Sequence, residues 1–223
     1  MMEEALAEIQ NDIKNLSPYP DRVKLVAVSK YSTPEEVMKA YNLGVRIFGE
    51  NKVQSLREKK EFFSNNKIED ISWDFIGNLQ SNKVKYIHDY VRLIHSVNKI
   101  SLGEEINRRA HSINRKIDVL LEINIVGEES KEGYLLQNLE NDLEKLTKLK
   151  NINIIGLMTM APFVDDEKII RKTFESLRKI KETLNKEIFE NKLIELSMGM
   201  TGDYKFALEE GATIIRIGSK IFK

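Results

Sequence analysis

From Val23 onward, short apolar runs alternate with longer amphipathic stretches. Ahead of them, Leu6, Ile9, Ile13 and Leu16 recur at helical spacing until Ser17-Pro18-Tyr19-Pro20 stops the pattern, so residues 1–17 predict a helix outside the repeat. Leu25-Val26-Ala27-Val28, flanked by charge, predicts a strand buried on both faces. Thr33-Pro34-Glu35-Glu36 opens a helix: Thr caps, Pro takes the first position, and acids fill the first turn. That helix runs to Leu43-Gly44. The alternation then repeats. Strands are expected over 45–48, 71–76, 91–94, 118–124, 154–159, 193–197 and 213–217. Helices are expected over 50–63, 81–86, 99–111, 135–149, 167–184 and 203–211. Eight strand–helix units predict a single (β/α)8 TIM barrel, with a doubly wound open sheet as the alternative. Six residues follow Ile217, too few for the usual eighth helix, and the N-terminal helix is expected to cover that gap. No linker or composition break interrupts the chain, so one domain over 1–223 is expected.

Composition narrows the function. The chain has 223 residues, of which 41% are hydrophobic and 31% charged, enough for both a core and a solvated surface. Thirty-five basic residues balance 35 acidic ones, which counts against a dedicated nucleic-acid binder. The absence of Cys removes disulfides, thiolate nucleophiles and zinc–thiolate sites. Met1-Met2-Glu3-Glu4 lacks the basic and apolar regions of a signal peptide, and no apolar run approaches a membrane span. A cytoplasmic protein without nucleic-acid or membrane partners is expected. No large apolar patch calls for a dimer, so the expected state is a monomer.

In a barrel, chemistry gathers at the C-terminal ends of the strands. The polar residues there include Ser29-Lys30, Gly49-Glu50-Asn51, Gly77-Asn78, His95-Ser96, Asn124, Thr159, Ser197 and Arg216-Ile217-Gly218-Ser219. One His and Glu50 make a poor metal site. Strand alternation places Lys30 at the mouth with Val26 and Val28, where a partly desolvated amine can attack a carbonyl; a lysine facing water serves as well. Ser197-Met198-Gly199-Met200-Thr201 and Gly218-Ser219 supply the Gly and hydroxyl chemistry of a phosphate cradle after strands seven and eight, or of ordinary turns. Amine plus cradle describe a ligand with an aldehyde and a phosphate: pyridoxal 5′-phosphate or an aldol-type sugar phosphate. Arg216 discriminates between them. It points inward with Ile214, and a guanidinium facing a pyridine nitrogen keeps that nitrogen unprotonated, unless a core carboxylate takes it instead.

Several stretches resemble the pyridoxal phosphate homeostasis protein family. They are Leu25-Val26-Ala27-Val28-Ser29-Lys30, Phe48-Gly49-Glu50-Asn51, Phe75 to Lys83, Gly156-Leu157-Met158-Thr159-Met160, Leu196 to Met200, and Ile215 to Ser219 with Ile221-Phe222. The likeness runs in order over nearly the whole chain. It implies a barrel similar to the N-terminal domain of alanine racemase, with pyridoxal 5′-phosphate held as a Schiff base on Lys30. By the same resemblance, Ser197, Gly218 and Ser219 hold the phosphate, Arg216 faces the ring nitrogen, Asn51 lies near the ring, and Lys131 relays the cofactor or is a solvated loop lysine. Lys52, Asp74, Asn78 and Lys220 depart from the family pattern and are expected around the mouth.

The resemblance implies intracellular cofactor homeostasis without robust catalysis. No catalytic residue and no metal is assigned, and apo forms of cofactor-dependent enzymes are the implied recipients. Racemases of this fold add a Tyr from a further domain, and Tyr31, Tyr134 and Tyr204 lack that context here. A low-activity amino-acid racemase is the alternative. A Schiff-base aldolase would need acids beside Lys30 that the strand ends do not offer. His95 reads as a supporting or core-edge group, and Met158 and Met160 read as barrel filling.

Overall fold

The computed structural model describes residues 1–127 and 132–223. Lys131 therefore lies outside the described residues. Eight parallel strands close on themselves in chain order: β1 (Lys24–Val28), β2 (Ile47–Glu50), β3 (Ser72–Phe75), β4 (Leu93–Val97), β5 (Ile117–Glu122), β6 (Ile152–Met158), β7 (Glu195–Ser197) and β8 (Ile214–Ile217). β8 returns to β1 with Val26 opposite Arg216, which shuts the barrel. The outer ring is α2 (Pro34–Asn42), α3 (Val53–Asn65), a 3₁₀ turn over Ser81–Tyr86, α4 (Ile100–Ser112), α5 (Leu136–Thr147), α6 (Glu167–Leu184), α7 (Tyr204–Glu209) and α8 (Ser219–Phe222). The extra helix α1 (Met2–Leu16) precedes them.

Two apolar regions follow from strand alternation. Val26, Leu93, Leu120, Met158 and Ile214 fill the barrel interior. Residues of the opposite parity, such as Ala27, Phe48, Trp73 and Phe75, meet the helices in a larger shell. Local signals account for the helix starts. Thr33 Oγ1 accepts from Glu36 N–H while Glu36 Oε2 accepts from Thr33 N–H, a reciprocal cap that opens α2 beside Pro34. Gly44 ends it at φ +97°.

Several expectations shift, β4 among them: expected over 91–94, it spans Leu93–Val97 and takes in His95. β2 starts and ends two residues late and runs through Glu50, because the buried Glu50 carboxylate belongs to the barrel edge and leaves α3 to start only at Val53. The helix expected over 81–86 is a 3₁₀ turn. The space after β8 holds one helical turn, α8, rather than none. α1 ties to this corner through Tyr204 Oη donating to Asp12 Oδ2 at 2.5 Å, Lys205 to Asp12 at 3.1 Å, and Lys220 to Glu8 at 2.8 Å. Lys220 thus serves the N-terminal helix rather than the mouth.

Candidate functional site

Lys30 sits in the turn after β1 and is exposed, its Nζ 5.1 Å from the centroid of the Tyr31 ring. A buried clamp holds the residue before it. Ser29 Oγ donates to Glu50 Oε1 at 2.6 Å, and Lys59 of α3 donates to the Ser29 carbonyl at 2.6 Å and to Glu50. All three side chains are buried, so the turn carrying Lys30 is pinned from the outer side of the barrel.

Inside the barrel a polar chain crosses from β3 to β8. Arg92 donates through two nitrogens to Asp74; Asp74 Oδ2 meets His95 Nε2 at 3.0 Å; His95 Nδ1 meets Ser197 Oγ at 2.9 Å; Arg216 Nη1 donates to Ser197 Oγ at 2.6 Å. Arg216 Nη2 also donates to the Thr159 carbonyl at 3.0 Å. One proton arrangement satisfies every member. Arg216 donates to Ser197, Ser197 O–H donates to His95 Nδ1, and His95 Nε2–H donates to Asp74, which assigns the tautomer. Complete burial pushes the His95 pKa down, outweighing the raising effect of Asp74, so the ring is neutral. Burial also lowers Arg216, to about 10, leaving it a cation at neutral pH.

This chain corrects the placement of Asp74. It lies wholly buried in the barrel rather than at the mouth, because β3 alternation turns it inward, away from Trp73 and Phe75. His95 is a relay member in the interior. Ser197 is fully buried with its hydroxyl committed to Arg216 and His95, so it orients Arg216 directly. Arg216 takes neutral partners rather than an adjacent carboxylate, and two of its five N–H donors are accounted for among the described residues.

Sequence reasoning misses Glu122. It ends β5 on the inward parity of Leu120, is only 3% exposed, and its carboxylate makes no hydrogen bond or ion pair among the described residues. Burial raises its pKa to about 7; Arg216 lowers it and Glu132 raises it further. A signal for it exists: an acid on the inward register of an apolar strand, the same parity argument that singles out Arg216. The expectation of few acids at the strand ends, Glu50 apart, is corrected by Glu122, and Asp74 adds a buried acid deeper in the barrel.

The loops after β7 and β8 meet. Gly218 N–H donates to Thr201 Oγ1 at 3.4 Å, and Arg216 N–H donates to the Gly199 carbonyl at 3.0 Å. A Cβ on Gly218 would lie 3.1 Å from the Val28 carbonyl oxygen, so Gly lets the end of β8 close onto the end of β1, beside the Lys30 turn. Ser219 is exposed and opens α8. Asn51 is half-buried after β2, and its backbone is packed so closely against Gly77 that a side chain there would collide with it. Asn78 is exposed and, with Asn98, donates to Glu132, at 2.6 and 2.9 Å. Met158 fills the interior, whereas Met160 is largely exposed. Tyr204 is committed to Asp12.

The barrel closure, the inward Arg216 and the joined last two loops define the class first: residues 4–223 match the alanine racemase N-terminal domain. An alanine racemase from Clostridium difficile superposes with a TM-score of 0.72 at 15% identity, covering 95% of this chain and 54% of that one, a likeness of fold. This chain belongs, within that class, to the pyridoxal phosphate homeostasis protein family. The family member of Aquifex aeolicus is 40% identical over 217 residues, 97% of this chain and 93% of the relative. The Synechocystis protein of the same name is 37% identical over 207 residues, covering 93% of this chain and 94% of the relative. PipY of Synechococcus elongatus, solved with PLP bound, superposes with a TM-score of 0.91 at 32% identity and full coverage of both chains.

Proposed function

We propose that this chain binds pyridoxal 5′-phosphate at the barrel mouth, attached through Lys30, and that it stores and releases the cofactor rather than turning over a substrate. The observation that carries this reading is the relay ending at Arg216 beneath a mouth that holds an exposed lysine on β1 and the Gly218-Ser219 turn on β8. The residues fit the group. Lys30 is exposed and makes no ion pair among the described residues, Gly218 allows close approach, and Ser219 with the first turn of α8 brings a hydroxyl and N–H groups without helical partners. The bound cofactor supplies a reactive aldehyde and an electron-accepting ring.

The chain's own residues govern how that ring and its attachment point are held. Ser197 and the Thr159 carbonyl hold the Arg216 guanidinium in place, and neutral His95 keeps Ser197 oriented. A cation next to a pyridine nitrogen opposes its protonation, which weakens the ring as an electron sink. The Ser29–Glu50–Lys59 clamp fixes the backbone from which Lys30 extends. In this reading Gly218 and Ser219 hold the phosphate, Ser197 supports Arg216, and Asn51 flanks the ring. The chain works as a cytoplasmic monomer folded as one domain over 1–223, with apo forms of cofactor-dependent enzymes as its recipients.

Mixing the purified chain with pyridoxal 5′-phosphate, reducing with borohydride and mapping peptides tests the site. Label confined to Lys30 and lost in Lys30→Ala is expected. Label spread over surface lysines overturns it. Glu122 favours a second reading, weak racemisation, because a buried acid with a pKa of about 7 suits proton transfer at neutral pH. Exchange of amino-acid Cα protons in D2O, abolished in Glu122→Gln, would establish that activity.

A further inference from the structure

Some basic side chains on this surface find acids and others do not. Arg46 meets Asp70, Arg108 and Arg109 meet Glu105, Arg171 meets Glu167 and Glu209, Arg178 meets Glu182 and Glu210, and Lys205 meets Glu8 and Asp12. Among the cations without an acid partner, one group lines a cleft. Between the start of α3 and the 3₁₀ turn after β3 lies a cleft of about 380 Å³ whose walls include Lys52, Arg57, Lys83 and Tyr86. Arg57 Cζ, Lys83 Nζ and Lys85 Nζ lie 5.1, 5.7 and 4.9 Å from the centroid of the Tyr86 ring. None of these four cations forms an ion pair among the described residues. The ring face attracts each of them, but it does not cancel their mutual repulsion. Gln54 and Gln80 line the same cleft; the Gln54 amide nitrogen donates to Glu58 at 2.8 Å, which leaves its oxygen and second N–H, and Gln80 adds a further amide.

We propose that this cleft is a second anion site, taking a small phosphorylated ligand of about mononucleotide size. Its volume falls within the range of small-molecule sites, about 300–1,000 Å³. Lys52, Arg57 and Lys83 line one recess, with Lys85 beside it on the Tyr86 ring, rather than running in the stripe that a nucleic-acid backbone requires, and the chain's formal charge is zero. Arg and Lys together match phosphate, with Arg offering paired donors and Lys a point charge. Asn51 lines one wall and also stands after β2, next to the strand that carries Lys30. A ligand here would border the mouth without occupying it.

The test titrates the apo chain with ADP, pyrophosphate and inorganic phosphate at roughly 20 and 150 mM salt, following the Gln54 and Gln80 side-chain amides by NMR. Saturable shifts are expected, weaker at the higher salt and ranked ADP or pyrophosphate above phosphate. The paired substitution Arg57→Gln with Lys83→Gln should weaken binding at least tenfold. Lys168→Gln with Lys172→Gln, an exposed pair on α6 that removes the same two charges, should not. Non-saturable shifts, or equal affinity in the paired variant, overturn the site. So does binding lost in Lys30→Ala and kept in the paired variant, which would seat the phosphate at the mouth. An acidic peptide or RNA oligomer displacing ADP at lower concentration would overturn the ligand class. Borohydride labelling of Lys30 is read on the same samples and should persist in the paired variant. Failure of the labelling in the parent chain would sink the cofactor reading while leaving a saturable cleft standing.

Discussion

The barrel interior carries charge at both ends, and the two ends are built differently. At the N-terminal end, Lys24 of β1 pairs with Glu195 of β7, whose other oxygen accepts from Thr213 Oγ1 at 2.6 Å; Thr213 Oγ1 also accepts from Leu196 N–H at 2.8 Å. That cluster closes on itself. At the other end, the relay from Arg92 to Arg216 is satisfied along its length but finishes with guanidinium donors to spare, and Glu122 stands nearby with no hydrogen-bond partner among the described residues. Buried polarity by itself therefore does not mark a site. Capacity left over at the end of a satisfied network does.

The sharpest break in this comparison is Asp74→Ala. It removes the acceptor shared by Arg92 and buried His95, and should cost about 3–5 kcal/mol, read from denaturant midpoints. A loss below about 1 kcal/mol would mean the relay holds nothing together.

Glu122 comes next, through pH. Its folded pKa is about 7 against an ordinary 4.5, so between these values the folded chain binds the extra proton and stability falls as pH rises, by no more than about 3 kcal/mol. His95 opposes it. Its folded pKa lies below 6.5, so its contribution is complete above that value and is lost as pH falls beneath it. In the parent the two slopes oppose each other below pH 6.5, and Glu122→Gln should make stability rise more steeply with pH toward 6.5 than it does in the parent. A variant profile parallel to the parent's would exclude a buried titrating Glu122.

Arg216→Gln should weaken pyridoxal 5′-phosphate binding at least tenfold, about 1.4 kcal/mol, by equilibrium dialysis. Glu195→Gln is the smallest change. The Lys24 side chain is 40% exposed, so stability should drop by only about 1 kcal/mol and cofactor affinity should not move. Affinity lost in Glu195→Gln would erase the distinction between the two ends.

Much of this was legible along the chain. Apolar runs such as Leu25–Val28 name strands because a strand buried on both faces has no polar alternation, and parity placed Arg216 inward. Glu122 and Asp74 escaped although the same parity applied. Each carries only one acidic letter, and whether that acid is paired depends on β4, β8 and the segment after β5, far away in sequence. The shift of β2 had a similar cause. Glu50 looks like a helix start until Lys59, one helix later, and Ser29, one strand earlier, both donate to its Oε1. The cations around Tyr86 were equally invisible, since Arg57 stands on α3 and Lys83 and Lys85 on the 3₁₀ turn, separate elements that only the fold brings to one ring.

Gly218 rests against Val28, and β8 is the strand that completes β1. The two halves of the proposed cofactor site thus sit at opposite ends of the chain's own timetable. During synthesis Lys30 emerges early and stays a bare amine in solution, while Arg216 and Ser219 arrive only after seven strands are already made. A growing chain can meet the aldehyde but cannot grip its phosphate. On the proposed reading, selective retention would begin when the last strand seals the first, and a nascent or truncated chain would react with the cofactor as indiscriminately as any surface lysine.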